Sequence, residues 1–79
     1  MDYKMGEIIV ILKDGVSKEQ FEEALKPLGL LIVKSSSRGF WYVVQVPTGE
    51  EEKYVSLFNG AEYAELIRFV ELNWIMRIL

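Results

Sequence analysis

The sequence contains no cysteine and no histidine. Without cysteine, no disulfide can support the fold and no thiolate can bind a metal ion. Without histidine, the commonest general base and the commonest transition-metal ligand are both missing. An enzyme would have to work with carboxylates, lysines or hydroxyls alone, so we expect neither catalysis nor a cofactor or metal site.

The sequence also lacks a long apolar run and an excess of positive charge. No run reaches the roughly 18 apolar residues of a membrane-spanning helix, and the net charge of −3 argues against a nucleic-acid partner. Residues 1–6 are too short and too polar for a signal peptide, so an exported protein would carry its leader outside this chain. The 79 residues allow one domain.

What is present is a regular alternation of strand and helix patterns. Residues 7–13 form a short segment rich in β-branched side chains, which is typical of a strand. Ser17 and Gln20 have the spacing of a capping box, so we expect a helix to begin there. That helix should end near Lys26, because Pro27 disfavours helical geometry in the residue before it.

The second half of the sequence repeats this alternation. Residues 30–35 and 40–46 are expected to be strands joined by a short loop. Thr48 and Glu51 have capping-box spacing again, which predicts a second helix. A last strand is expected over residues 66–72. The order β-α-β-β-α-β predicts an α+β ferredoxin-like split β-α-β sandwich, with a four-stranded antiparallel sheet and two helices on one face.

The predicted strands are apolar on both faces. Residues that alternate along a strand point to opposite sides of the sheet, and helices cover only one side. An uncovered apolar face is a candidate interaction surface. The opposing sets are Ile8, Val10 and Leu12 against Ile9 and Ile11; Phe40, Tyr42, Val44 and Val46 against Trp41 and Val43; and Ile67 and Phe69 against Val70 and Leu72.

Two families with this order of elements use such a face. Residues 38–45, Arg-Gly-Phe-Trp-Tyr-Val-Val-Gln, look like the third-strand signature of the RNA-recognition motif, which would stack bases on Phe40, Trp41 and Tyr42. Trp41 stands where that family has a small residue.

An interpretation that rests on neither family is a self-associating regulatory domain that binds small molecules between paired sheets.

The second resemblance, to the propeptides of subtilisin-like serine proteases, runs from residue 7 to residue 79. Residues 8–17 are similar to that family's apolar first strand and its short turn into a helix. Residues 28–30 and 43–47 resemble the end of that helix and a third strand that closes on a proline. Residues 67–73, Ile-Arg-Phe-Val-Glu-Leu-Asn, resemble the last strand, whose usual form is Val-x-Tyr-Val-Glu-x-Asp or Val-x-Tyr-Val-Glu-Pro-Asn.

The resemblance implies a surface that docks on a protease. In this family the open sheet face packs on two parallel surface helices of the protease, and Ile67 and Phe69 would lie in that interface. Glu71 and Asn73 fall where the family caps the N-termini of those helices. Helix N-termini carry unpaired N–H groups and partial positive charge, which suits both side chains. A period of two would place all four residues on one strand face.

The resemblance also implies a role for the end of the sequence. The family's tail lies extended in the substrate groove of the protease and ends at the bond that the protease cuts. Counted from Glu71, Leu79 would occupy the pocket for the residue before the cut. Ile78, Arg77 and Met76 would run back along the groove, with Met76 in the next hydrophobic pocket.

The resemblance divides the chain into three parts and assigns it a function. Residues 1–6 would be an N-terminal extension, residues 7–73 the prodomain core and residues 74–79 an inhibitory tail; the alternative for the tail is packing on its own domain. The expected function is that of a non-catalytic intramolecular chaperone and product-type inhibitor, secreted with its protease. The expected partner is the protease catalytic domain, with no nucleic acid or membrane, and weak self-association stays open.

Overall fold

The computed structural model of the chain describes residues 3–74. It contains the six main elements that the sequence predicts, in the predicted order, with two short 3-10 turns at Lys26–Leu28 and Ala61–Tyr63. The strands and helices are β1 (Tyr3–Leu12), α1 (Lys18–Leu25), β2 (Leu31–Ser35), β3 (Tyr42–Gln45), α2 (Glu51–Phe58) and β4 (Ile67–Trp74).

The four strands form one sheet in the order β2-β3-β1-β4, and every neighbouring pair is antiparallel. Each half of the chain therefore places its helix between two strands that are not neighbours in the sheet. This is the ferredoxin-like split β-α-β fold, and the predicted fold class is confirmed.

The core lies between one face of the sheet and the two helices. Phe21 of α1 packs against Tyr42 of β3, with ring centroids 6.0 Å apart. Phe58 of α2 meets Tyr63 edge to face at 5.0 Å. Burying these aromatic rings removes large apolar surfaces from water. The strand residues of this core are Ile8, Val10, Leu12, Tyr42, Val44, Ile67 and Val70.

Helix α1 begins and ends as predicted. The Ser17 side chain accepts a hydrogen bond from the Gln20 N–H, and the Gln20 side chain accepts one from the Ser17 N–H. The chain then passes through the 3-10 turn that contains Pro27 and reverses at Gly29, whose φ of 71° is left-handed. Glycine adopts this conformation without the steric penalty of a side chain.

Helix α2 begins differently from the prediction. Glu50 occupies the N-cap position and makes no side-chain cap, so the predicted capping box between Thr48 and Glu51 is wrong. Instead, the Glu51 carboxylate turns back and accepts hydrogen bonds from the N–H of Gly49 at 3.0 Å and from the N–H of Gly6 at 2.6 Å. This side chain is 1% exposed, and it connects the start of α2 to β1.

Strand β1 begins at Tyr3, although the pattern predicts it from Glu7. Residues 3–6, which the sequence placed in an N-terminal extension, form the first part of this strand. The pairing between β1 and β4 shifts register between Tyr3 and Ile8, and Gly6 lies in this irregular segment with a φ of 82°. The irregularity turns the Gly6 N–H toward Glu51.

Candidate functional site

The side of the sheet opposite the helices carries a broad apolar surface, which we call the open face. Its centre is a depression of about 600 Å³. Apolar side chains from three strands and the β2–β3 connection line it, and charged and amide groups lie at its rim. The lining residues are Ile9, Ile11, Val33, Trp41 and Val43, with Lys4, Glu7, Lys34 and Asn73.

The last strand contributes Phe69 to this face but not Ile67. Phe69 is 46% exposed and pairs with Ile11, whereas Ile67 is 4% exposed and belongs to the core. Between these two residues β4 has one extra residue, Arg68, because Ile11 pairs with Phe69 and Leu12 pairs with Ile67. Such a bulge shifts the alternation of side chains by one. The prediction that Ile67 and Phe69 share a face is therefore wrong.

Glu71 and Asn73 both lie on the open face, near the end of β4. Glu71 pairs with Ile9. Asn73 donates a hydrogen bond from its side-chain nitrogen to Glu7 at 3.0 Å, and Glu7 also forms an ion pair with Lys4 at 3.4 Å. Both β4 residues are partly buried. The hydrogen bond to Glu7 uses the side-chain nitrogen of Asn73. The amide oxygen is the atom that can accept a hydrogen bond from a helix N–H, and it takes no part in the bond to Glu7.

Four predicted site residues lie outside the described residues: Met76, Arg77, Ile78 and Leu79. The described chain ends at Trp74, whose backbone pairs with Tyr3 at the edge of the sheet. The groove-binding role of these four residues stays a prediction.

The aromatic residues of the third strand do not share one surface. Tyr42 is 7% exposed and faces α1 in the core. Phe40 is 66% exposed but precedes β3, and Trp41 lines the depression. Stacking of bases on an RNA-recognition motif needs neighbouring aromatic rings on the open face. Because Tyr42 points the other way, the fold does not assemble the stacking platform that the signature suggested.

Sequence reasoning missed Lys34 and gave Glu51 the wrong partner. Lys34 lies at the β2 side of the depression, because β2 has a register shift at Val33 that turns Lys34 onto the face of Val43. Glu51 is buried at the start of α2, and hydrogen bonds from backbone N–H groups, above all that of Gly6, hold the pKa of its carboxyl below the usual range. The sequence signal for Glu51 was its capping-box spacing from Thr48, which could not show the distant Gly6 as its partner.

The described residues contain neither a cluster suited to a metal ion nor a helix suited to crossing a membrane. Over residues 3–74, no three histidine, cysteine, aspartate or glutamate side chains come together as a metal site. In the same part of the chain, no helix has the length and hydropathy needed to cross a membrane. The candidate site is the open face, which has apolar side chains at its centre and charged and amide groups at its rim.

Comparison with known proteins gives one family match. The family model of the fervidolysin N-terminal prodomain matches residues 1–73, which include every helix and all but the last residue of β4. No curated protein and no solved structure matches the chain. The chain therefore belongs to the family of the fervidolysin N-terminal prodomain, a propeptide of subtilisin-like proteases.

Proposed function

We propose that this prodomain assists the folding of a subtilisin-like protease and then inhibits it as a bound product. The prodomain itself carries no chemistry; the catalytic residues belong to the protease. Membership of a protease prodomain family supports this proposal, as does the scarcity of catalytic groups in the sequence. The prodomain would act where its protease is processed, outside the cell.

The observation that carries the proposal is the open face. Its centre is apolar, and the prodomain's own helices pack on the opposite side of the sheet. Contiguous exposed apolar surface on a small domain is typical of an interaction site. A protease surface made of two parallel helices would fill a shallow depression between strands with rows of side chains.

The end of β4 would fix the orientation of that contact. Glu71 and Asn73 stand on the open face with oxygen atoms that can accept hydrogen bonds. The first N–H groups of a helix lack partners within the helix and carry partial positive charge. We therefore expect Glu71 to cap one protease helix as a carboxylate and Asn73 to cap the second as a neutral amide.

The tail would follow directly from this anchored strand end. In an extended conformation residues 75–79 would span roughly 17 Å, which is long enough to carry Leu79 well beyond the sheet. An extended segment in a protease groove gains strand-like hydrogen bonds along its backbone. The anchored sheet would supply most of the affinity, and the tail would block the groove.

Chaperone action would use the same surface before inhibition begins. Folds rich in non-local strand pairing form slowly, because loop-closure entropy is lost before the contacts form. A preformed open face that binds two protease helices would hold them together and reduce that cost. The same contact would remain in the inhibited complex.

The test of this surface uses two residues of β4, Phe69 and Ile67, that are two positions apart in sequence and lie on opposite faces of the sheet. We expect Phe69→Ala to raise the inhibition constant against a fervidolysin-type protease by roughly tenfold or more, because it removes an exposed aromatic ring from the contact. Its free energy of unfolding should fall by only about 1 kcal/mol, because about half of the ring is already exposed. Protease inhibition assays and chemical denaturation measure the two effects.

The matched control is Ile67→Ala. This substitution removes a core side chain and should lower the free energy of unfolding by about 2–5 kcal/mol. At a temperature where this variant remains folded, its inhibition constant should stay close to that of the parent. If Phe69→Ala inhibits as well as the parent, the open face is not the protease contact and the proposal fails.

A further inference from the structure

One row of side chains crosses the whole open face. Lys34 of β2 pairs with Val43 of β3, Val43 pairs with Ile9 of β1, and Ile9 pairs with Glu71 of β4. Residues directly opposite each other in antiparallel strands point to the same side of the sheet. The row therefore has a cation at one edge, two apolar residues in the middle and an anion at the other edge.

This row is complementary to itself under two-fold symmetry. Consider a second copy whose open face lies against the first, related to it by a two-fold axis that runs parallel to the strands, midway between β3 and β1. This axis reverses the strand order β2-β3-β1-β4, so β2 of one copy faces β4 of the other, and β3 faces β1. Lys34 then lies over Glu71 of the second copy, and Val43 lies opposite its Ile9, each twice. Because Val43 is only 4% exposed, the two Lys34–Glu71 pairs at the edges carry the contact. We propose that the free prodomain pairs with a second copy of itself through the open face.

The two charged residues of the row are available for this contact. Over residues 3–74 the ion pairs are Lys4–Glu7, Glu23–Lys26, Glu50–Lys53 and Asp14–Arg68, and neither Lys34 nor Glu71 takes part in one. Facing sheets pack about 10 Å apart, a gap that a lysine and a glutamate side chain together can bridge. The usual rotation of about 30° between packed sheets moves an edge position by on the order of 4 Å, which the flexible lysine accommodates.

The neighbouring row agrees with the same arrangement. Glu7 pairs with Gln45 in the sheet, so the two-fold axis places Glu7 over Gln45 of the second copy. The Gln45 amide can donate a hydrogen bond to the carboxylate. No like charges meet in either row, and a second copy is therefore an occupant that the charges of this face favour.

The size of the face predicts a weak and reversible dimer. A face four strands wide and about five residues long covers roughly 320 Å² in projection, so the contact falls at the small end of protein interfaces, which is typical of weak and transient complexes. A dissociation constant in the high micromolar range is therefore expected. Because the proposed protease contact uses the same face, self-association and protease binding would exclude each other, although the pairing itself does not depend on the protease proposal.

Analytical ultracentrifugation of the 79-residue chain from about 10 µM to about 1 mM tests this pairing. The parent should shift from monomer toward dimer over this range. Lys34→Glu and Glu71→Lys should each raise the dimer dissociation constant at least about tenfold, since each variant brings two pairs of like charges together. The double variant Lys34→Glu/Glu71→Lys restores opposite charges and should return the constant to within about threefold of the parent.

The matched controls are Lys18→Glu and Glu62→Lys, which make the same charge changes away from the open face and should leave the dimer intact. Circular dichroism checks that each variant is folded. A parent that stays monomeric at every concentration overturns the proposal. A double variant that dissociates as readily as the single variants also overturns the proposal. If the two residues are in direct contact, exchanging their charges must restore the dimer.

Discussion

Deletion of residues 76–79 is expected to raise the inhibition constant against a fervidolysin-type protease by at least about a hundredfold. The proposed tail fills the pocket before the cut with Leu79 and adds backbone hydrogen bonds along the groove. Without it, the sheet could still bind the protease surface but would leave the groove open to substrate. Because the proposed tail serves the protease groove and not the core of the prodomain, the melting temperature should not change.

Two point substitutions separate the role of the last side chain from the length of the tail. Leu79→Phe keeps a large apolar residue and should inhibit nearly as well as the parent. Leu79→Asp places a charge in an apolar pocket and should inhibit about as poorly as the deletion. Removal of Met1 and Asp2 from the other end controls for shortening the chain. If the deletion of residues 76–79 leaves inhibition unchanged, the tail mechanism is wrong. That result would not bear on the sheet contact, which Phe69→Ala tests separately.

Glu51→Gln is expected to lower the melting temperature by roughly 10 °C at neutral pH. The carboxylate accepts hydrogen bonds from the N–H groups of Gly6 and Gly49, and it is almost fully buried. An amide has only one acceptor atom, so one of these two N–H groups would face the amide nitrogen instead. Glu52→Gln is the matched control, because Glu52 is the next residue of the same helix and is exposed.

The effect of Glu51→Gln should also depend on pH in a defined direction. Hydrogen bonds from Gly6 and Gly49 lower the pKa of the Glu51 carboxyl from its ordinary value of 4.5. A group whose pKa is lower in the folded state stabilises the fold above its ordinary pKa, and that contribution is lost as pH falls through the folded value. The difference in melting temperature between the parent and Glu51→Gln should therefore be full above about pH 4.5 and shrink in more acidic solution.

The charged groups around Glu51 make this comparison simple to interpret. On α2 its neighbours in sequence are Glu50, which pairs with Lys53, and Glu52; on β1 the nearest charges are Lys4 and Glu7, which pair with each other. All of these groups are present in both proteins, so the comparison isolates the Glu51 carboxyl. If the difference stays constant down to pH 3, the carboxylate does not hold β1 and α2 together as described.

The local patterns of the sequence were enough for the elements and their order. The Ser17–Gln20 capping box, the proline at the end of α1 and the β-branched strand segments all act within a few residues, so the sequence contains the whole interaction. The order β-α-β-β-α-β then left few ways to cover one face of a sheet. The apolar character of both sheet faces was also readable, because it follows from alternation along each strand.

The positions of individual side chains depended on pairing between distant strands. One extra residue at Arg68 turned Ile67 into the core and left Phe69 on the open face, and a similar shift at Val33 set the position of Lys34. Alternation along one strand cannot reveal such bulges, because they arise from the register against the neighbouring strand. The position of Glu51 also depends on a distant part of the chain, because its closest partner, Gly6, is 45 residues away in the sequence.

By itself, then, the sequence determined which elements form, their order, and that one sheet face would be apolar and uncovered. Only the tertiary structure decided which residues meet on that face: Lys34, Val43, Ile9 and Glu71 come from four strands and form a row only when the register is set. The reason is physical. Helix caps and strand propensities are local free energies, whereas a binding surface on a sheet is built from non-local contacts.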